Sequence, residues 1–111
     1  MNLQISWADF EKVEIRVGTI LAAEENKGAQ KQAYRLSIDF GPLGIKHSSA
    51  QLTELYKAKE LIGKQIVAVV NFPPKQVASV KSECLVLGAL DKKGVILLSL
   101  DKNALNGDKI A

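Results

Sequence analysis

The side chains that could do chemistry in this chain are few, and their spacing works against it. The sequence holds one histidine and one cysteine in 111 residues. His47 stands beside Ser48 and Ser49, so a hydrolytic relay would need one of these serines as nucleophile. Neighbours on a strand point to opposite faces, which keeps His47 and Ser48 apart. Ser49 shares a face with His47, but nothing in the pattern supplies the acid that would orient the ring. Cys84 opens an apolar run and reads as a small buried hydrophobe rather than a thiolate nucleophile. A lone cysteine also removes an internal disulfide and a Cys-rich zinc site. Glu24 and Glu25 lie in a polar stretch where water solvates them. Gly41-Pro42-Leu43-Gly44 lacks the Lys-Ser/Thr of a phosphate loop and the helix that would follow it. These readings exclude a catalytic centre, a metal site and a cofactor, and point to a binding module.

What it could bind begins with charge. The net charge is only +3, compatible with a polyanion partner without requiring one. Resolved along the chain, residues 1–26 balance to −3, residues 27–81 to +6 and residues 82–111 to zero. A basic middle behind an acidic start is the pattern expected if one face carries the positive potential. Hydrophobic residues make up 47% and charged residues 24%, the balance of an ordinary globular chain rather than a disordered one. The longest apolar runs, at 66–70, 84–90 and 95–98, stay under ten residues, too short to span a bilayer as a helix. Residues 1–10 have no basic stretch followed by an apolar one, so no secretory signal is expected. A single cytoplasmic domain over residues 1–111 is the expectation.

The elements that must position these side chains follow from periodicity. Residues 6–10 predict one helical turn, with Ser6 as N-cap and Asp9 three residues on. Residues 13–23 alternate with a slip near Gly18, the mark of a bulge or bend in a long strand. The polar stretch 24–31 reads as a loop. Residues 33–40 predict a second strand, 41–44 a turn and 45–49 a third strand. Over 51–62 the apolar spacing turns helical and Gly63 closes it. Residues 65–71 read as a buried strand that Phe72-Pro73-Pro74 breaks. A loop then leads to a fifth strand at 84–89, a turn at 91–94 and a sixth strand at 95–100, with a turn at Asn106-Gly107. The fold class is all-β with a short helical insertion. A five-stranded Greek-key OB-fold barrel with N- and C-terminal extensions fits this order.

Three stretches also resemble one family. Asp9-Phe10-Glu11-Lys12-Val13-Glu14-Ile15-Arg16-Val17-Gly18-Thr19-Ile20 is similar to the opening strand of the tRNA-binding OB domains, which occur free and fused to some aminoacyl-tRNA synthetases. Val69-Val70-Asn71-Phe72-Pro73-Pro74-Lys75, with Lys81-Ser82-Glu83-Cys84-Leu85-Val86-Leu87-Gly88, resembles that family's second signature. Ile45-Lys46-His47-Ser48-Ser49-Ala50-Gln51-Leu52 resembles the short stand-alone branch. Many family members carry His-Pro-x-Ala-Asp-Lys-Leu ahead of the second strand. Here the stretch reads Asn26-Lys27-Gly28-Ala29-Gln30-Lys31-Gln32-Ala33-Tyr34, keeping a lysine and an aromatic, and Val80-Lys81 stands where Arg-Gly is common. The resemblance implies a homodimeric, non-catalytic protein that binds tRNA and holds unfolded or export-bound polypeptide.

On that model Lys31, Arg35 and Lys46 line the strand face, while Lys75 and Lys81 flank it. Ser48 and Ser82 are expected to donate to phosphate or 2′-OH groups, and Asn71 to read a base edge. With aromatic residues at 5%, stacking is limited to Tyr34 or Phe72, so backbone recognition should dominate. For an unfolded polypeptide the expected surface is Phe72, Pro73, Pro74, Val77 and Val80. Spare apolar character at 3–10 and 105–110 marks the expected dimer contact. The alternative is a structural dimeric docking module for another protein, with no direct RNA role.

Overall fold

Ser6 caps the first element by the reciprocal pair its spacing predicts. Its hydroxyl accepts from the Asp9 amide at 3.0 Å, and the Asp9 carboxylate accepts from the Ser6 amide at 3.1 Å, opening helix α1 (Trp7–Glu11). The structure, a computed structural model, describes residues 3–111, so the first two residues of the stretch read for a secretory signal lie outside it. The long strand β1 (Ile15–Glu25) follows, then β2 (Tyr34–Asp39), a 3₁₀ turn (Gly41–Leu43) and β3 (Ile45–Ala50). A four-residue helix α2 (Ala58–Leu61) leads to β4 (Gln65–Val69). A hairpin of β5 (Lys75–Val77) and β6 (Val80–Ser82) precedes β7 (Leu85–Val86), and a second hairpin of β8 (Gly88–Asp91) and β9 (Gly94–Leu97) follows.

Alternation in these strands sorts side chains onto two faces, and the apolar face curls inward. Strands β3-β2-β1-β4-β7 form one antiparallel sheet. Its two ends approach where the Glu83 amide donates to the His47 carbonyl at 2.8 Å and the Ser48 hydroxyl donates to the Cys84 carbonyl at 2.9 Å. The result is a nearly closed five-stranded barrel around Ile20, Leu36, Ile38, Phe40, Leu61 and Ile66. With a helix between the third and fourth strands, this is the expected OB fold.

β1 serves both halves of the barrel. Residues 15–19 pair with β4, residues 19–25 pair with β2, and the register shifts between Ile20 and Ala22. At the corner, a Cβ on Gly18 would lie 2.6 Å from Ile38 Cγ2 and 2.8 Å from Phe40 Cε1, so only glycine lets the strand pass. The free edge of the first half of β1 is covered by the C-terminal tail. Gly107 and Ile110 donate to Val17 and Ile15 at 2.7 and 2.9 Å, and Val17 donates to Asp108 at 2.9 Å.

Three expectations are corrected. The helix expected over 51–62 shrinks to α2. Residues ahead of it run irregularly because side chains satisfy their backbone: the Tyr34 hydroxyl donates to the Tyr56 carbonyl at 2.7 Å. The strand expected at 84–89 splits at Leu87, whose amide turns back to Val67 while its carbonyl accepts from Leu98. The loop expected before it carries the β5–β6 hairpin, whose three-residue strands are too short to show a period.

Candidate nucleic-acid interface

Loop 26–33, the end of β3 and the β5–β6 hairpin enclose an open groove of about 630 Å³. Lys31, Lys75, Val77 and Ser82, all singled out from sequence, line it together with Ser49 and Gln51. Lys31 and Lys75 are both exposed, one on each wall. Arg35 pairs with Ser49 across β2 and β3, so it continues the floor of the groove on the outward face. Its partner on the other side is Glu24 of β1, which tempers the charge of that row. Of the nine basic residues over 27–81, two, Lys31 and Lys75, line the groove.

The structure separates the other expected residues from this groove. Lys46 pairs with Ile38, which places it on the inward row of β3 at the barrel rim, on the opposite face from Arg35. Lys81 pairs with Gln76 while Lys75 pairs with Ser82, so alternation turns Lys81 to the hairpin's other face from Lys75. Ser48 is only 2% exposed and its hydroxyl is spent on Cys84. Asn71 is exposed, but its amide bridges backbone: Oδ1 accepts from the Glu14 amide at 3.0 Å and Nδ2 donates to the Lys12 carbonyl at 2.7 Å. That pair anchors the exit of α1 to the end of β4 and leaves little to read a base. Ser82 sits on the groove, with its hydroxyl accepting from the Ser49 amide at 3.2 Å.

The apolar residues divide in the same way. Phe72 is 54% exposed, and Pro73 and Pro74 are exposed beside it. Val77 is half-buried on the groove wall. Val80 is 2% exposed, packed under the hairpin, because its pairing with Val77 places it on the hairpin's inner face. It therefore offers no surface to a peptide.

Next to the groove, His47 Nδ1 lies 3.4 Å from Glu83 Oε1, and the same oxygen accepts from the His47 backbone amide at 3.1 Å. That backbone hydrogen bond holds the Glu83 carboxyl below its ordinary range against the opposing effect of partial burial. Burial pushes the Cys84 thiol up to about 11, which leaves it protonated and unreactive at neutral pH. Among the described residues no three His, Cys, Asp or Glu side chains gather as a metal site, and no helix is long and apolar enough to cross a membrane.

Sequence reasoning did not single out Ser49, Gln51 and Asn26 as residues of a binding groove. Asn26 sits at the mouth of loop 26–33 with its side-chain amide donating to Ser49 Oγ and the Val77 carbonyl. No periodicity marks it, because its partners lie 23 and 51 residues away.

Comparison with known proteins agrees with this architecture. Residues 15–109 match the family model described as "Putative tRNA binding domain". The chain is 51% identical to the chaperone CsaA of Bacillus anthracis, covering 98% of this chain and all of that one, with a TM-score of 0.92. Against the CsaA chaperone protein of Picrophilus torridus it is 54% identical, covering 97% of this chain and all of that one, again with a TM-score of 0.92. It is also 37% identical over 108 residues to the methionine–tRNA ligase of Nanoarchaeum equitans, covering 96% of this chain and 13% of that enzyme. The chain spans 13–16% of the length of the methionine–tRNA ligases it matches. With nearly the whole barrel and its C-terminal tail inside the matching segment, the chain belongs to the tRNA-binding domain family.

Proposed function

We propose that this chain is a single-domain, non-catalytic module that binds tRNA across the groove between loop 26–33 and the β5–β6 hairpin. The observation that carries this reading is the convergence of Lys31 and Lys75 on opposite walls of one groove. Each ammonium offers three donors on a flexible stem, suited to phosphate oxygens as a point charge. Neutralising phosphates releases counterions, so affinity should come largely from charge and fall as salt rises. Arg35 extends the track over the barrel face, and Ser82 and Ser49 stand between the walls within reach of a 2′-OH. Few aromatic side chains face this surface, so backbone and shape dominate over base reading. A tRNA ligand supports a cytoplasmic location. The test is a titration with tRNA: Lys31→Ala combined with Lys75→Ala should weaken binding roughly tenfold or more while the fold survives. Equal affinity for the wild type and the double variant would contradict the groove.

A second reading, the holding of unfolded or export-bound polypeptide, rests on the exposed Phe72-Pro73-Pro74 shoulder next to Val77. Both CsaA neighbours are named as chaperones, which supports it. Suppression of aggregation of a denatured model substrate favours this reading, and unchanged aggregation at excess protein counts against it. A homodimer is supported by Leu3, Ile5, Leu105 and an 85% exposed Trp7. Ile5, Trp7, Phe10 and Ala111 frame an apolar hollow of about 630 Å³ that a second copy would fill. Sedimentation as a monomer at micromolar concentration would contradict it. If neither RNA nor unfolded chain binds, a dimeric docking module for another protein is the reading left.

A further inference from the structure

Asn26 is 6% exposed, and its Oδ1 is buried without a hydrogen-bond partner. An orphaned buried acceptor opposes folding, so such a group calls for a physical reason. The other end of the same amide supplies one. Nδ2 donates to Ser49 Oγ at 3.0 Å and to the Val77 carbonyl at 3.1 Å. The Asn26 backbone amide donates to the Ala33 carbonyl at 2.9 Å, closing the base of loop 26–33. One residue thus ties together the loop that carries Lys31, the strand that floors the groove and the hairpin that carries Lys75.

The hairpin depends on such ties. Its strands are three residues long, and a two-stranded ribbon of that length has little stability of its own. The Val77 carbonyl that Asn26 holds precedes Ala78, whose φ of 54° is left-handed without being glycine. Gly28, at a φ of 87°, lies against this turn, where a Cβ would stand 3.8 Å from that of Ala78.

We propose that Asn26 is the positioning residue of the groove: its amide fixes the separation of the two lysine-bearing walls and so makes Lys31 and Lys75 act together on one phosphate backbone. This inference rests on the RNA reading above. A residue that only stabilised the barrel would lower stability without changing how the lysines contribute. A positioning residue couples to them.

The experiment is a double-mutant cycle on tRNA affinity. Asn26→Ala should weaken binding roughly tenfold, and in its background Lys75→Ala should cost much less than it does in the wild type. The same cycle with Lys46→Ala, which lies on the other face, should be additive. If Asn26→Ala does not fold, Asn26→Ser, which keeps a small polar side chain that lacks the amide donor to the Val77 carbonyl, takes its place in the cycle. Hydrogen exchange gives a readout without RNA: amides of 27–33 and of 76–80 should lose protection together in the variant. Wild-type tRNA binding with additive Asn26 and Lys75 effects would overturn this inference alone, as would exchange that changes in the loop but not in the hairpin. Absence of tRNA binding by the wild type would overturn the RNA reading and this inference with it.

Discussion

The hydroxyl of Ser48 donates to the carbonyl of Cys84 across 2.9 Å, and both residues are buried. Ser48 pairs with Leu36 on the inward row of β2 and β3, where an apolar side chain would otherwise be expected. The hydroxyl is there because the two ends of the sheet meet at that point, where it is the nearer donor to the Cys84 carbonyl and the Ser82 hydroxyl reaches it only at 3.5 Å.

Ser48→Ala should therefore destabilise the protein by about 1 kcal/mol, since it leaves the buried Cys84 carbonyl with only the long bond from the Ser82 hydroxyl. Urea unfolding measures this. The affinity of the folded variant for tRNA should be unchanged, because the hydroxyl does not face the groove. A variant as stable as the wild type would show that the closure does not depend on this bond.

Cys84 should be inert in the native state. Burial raises its thiol to about 11, above the ordinary value near 8.5. A disulfide reagent at pH 8 should label it slowly in buffer and at once in denaturant. The sign of the linkage follows: between the unfolded and folded values the folded state keeps a proton that the unfolded state has lost. Stability should thus fall as pH rises from about 8.5 towards the folded value. Rapid native labelling would contradict the burial.

Glu83 acts in the opposite pH range. The His47 amide lowers its folded value, so the carboxylate adds stability above the ordinary carboxylate range and loses it as pH falls through the lowered value. Glu83→Gln should flatten this part of the acid limb in urea midpoints taken across roughly pH 5 to pH 2. An unchanged acid limb would show that Glu83 contributes nothing to it.

The barrel was legible in the sequence where periodicity is long. Ser6 with Asp9, the alternation of Leu36, Ile38 and Phe40, the slip near Gly18 and the turn at 91–94 are local signals, and each has its counterpart in the structure, the slip as a register shift between Ile20 and Ala22. The β5–β6 hairpin was not legible, because three residues do not establish a period, and the helix between the third and fourth strands was legible in place but not in length. Of the candidate site, the residues that share one groove were legible in part. Lys31, Lys75, Ser82 and Val77 meet at the groove. Lys46, Lys81, Ser48 and Val80 take other places, because face and burial depend on strand register, which a one-residue difference inverts. Asn26 escaped notice because its role lies in contacts that only the closed fold creates.

The proposed tRNA site depends on Lys31 and Lys75 holding one phosphate backbone from the two walls of the groove. The most direct test is the dependence of tRNA affinity on salt, measured for the wild type, for Lys31→Ala with Lys75→Ala, and for Lys46→Ala with Lys81→Ala. A steep log–log decline is expected for the wild type, shallower by roughly two for the groove pair and less changed for the other pair. A wild-type affinity indifferent to salt, or a groove pair with the wild-type slope, would contradict this site.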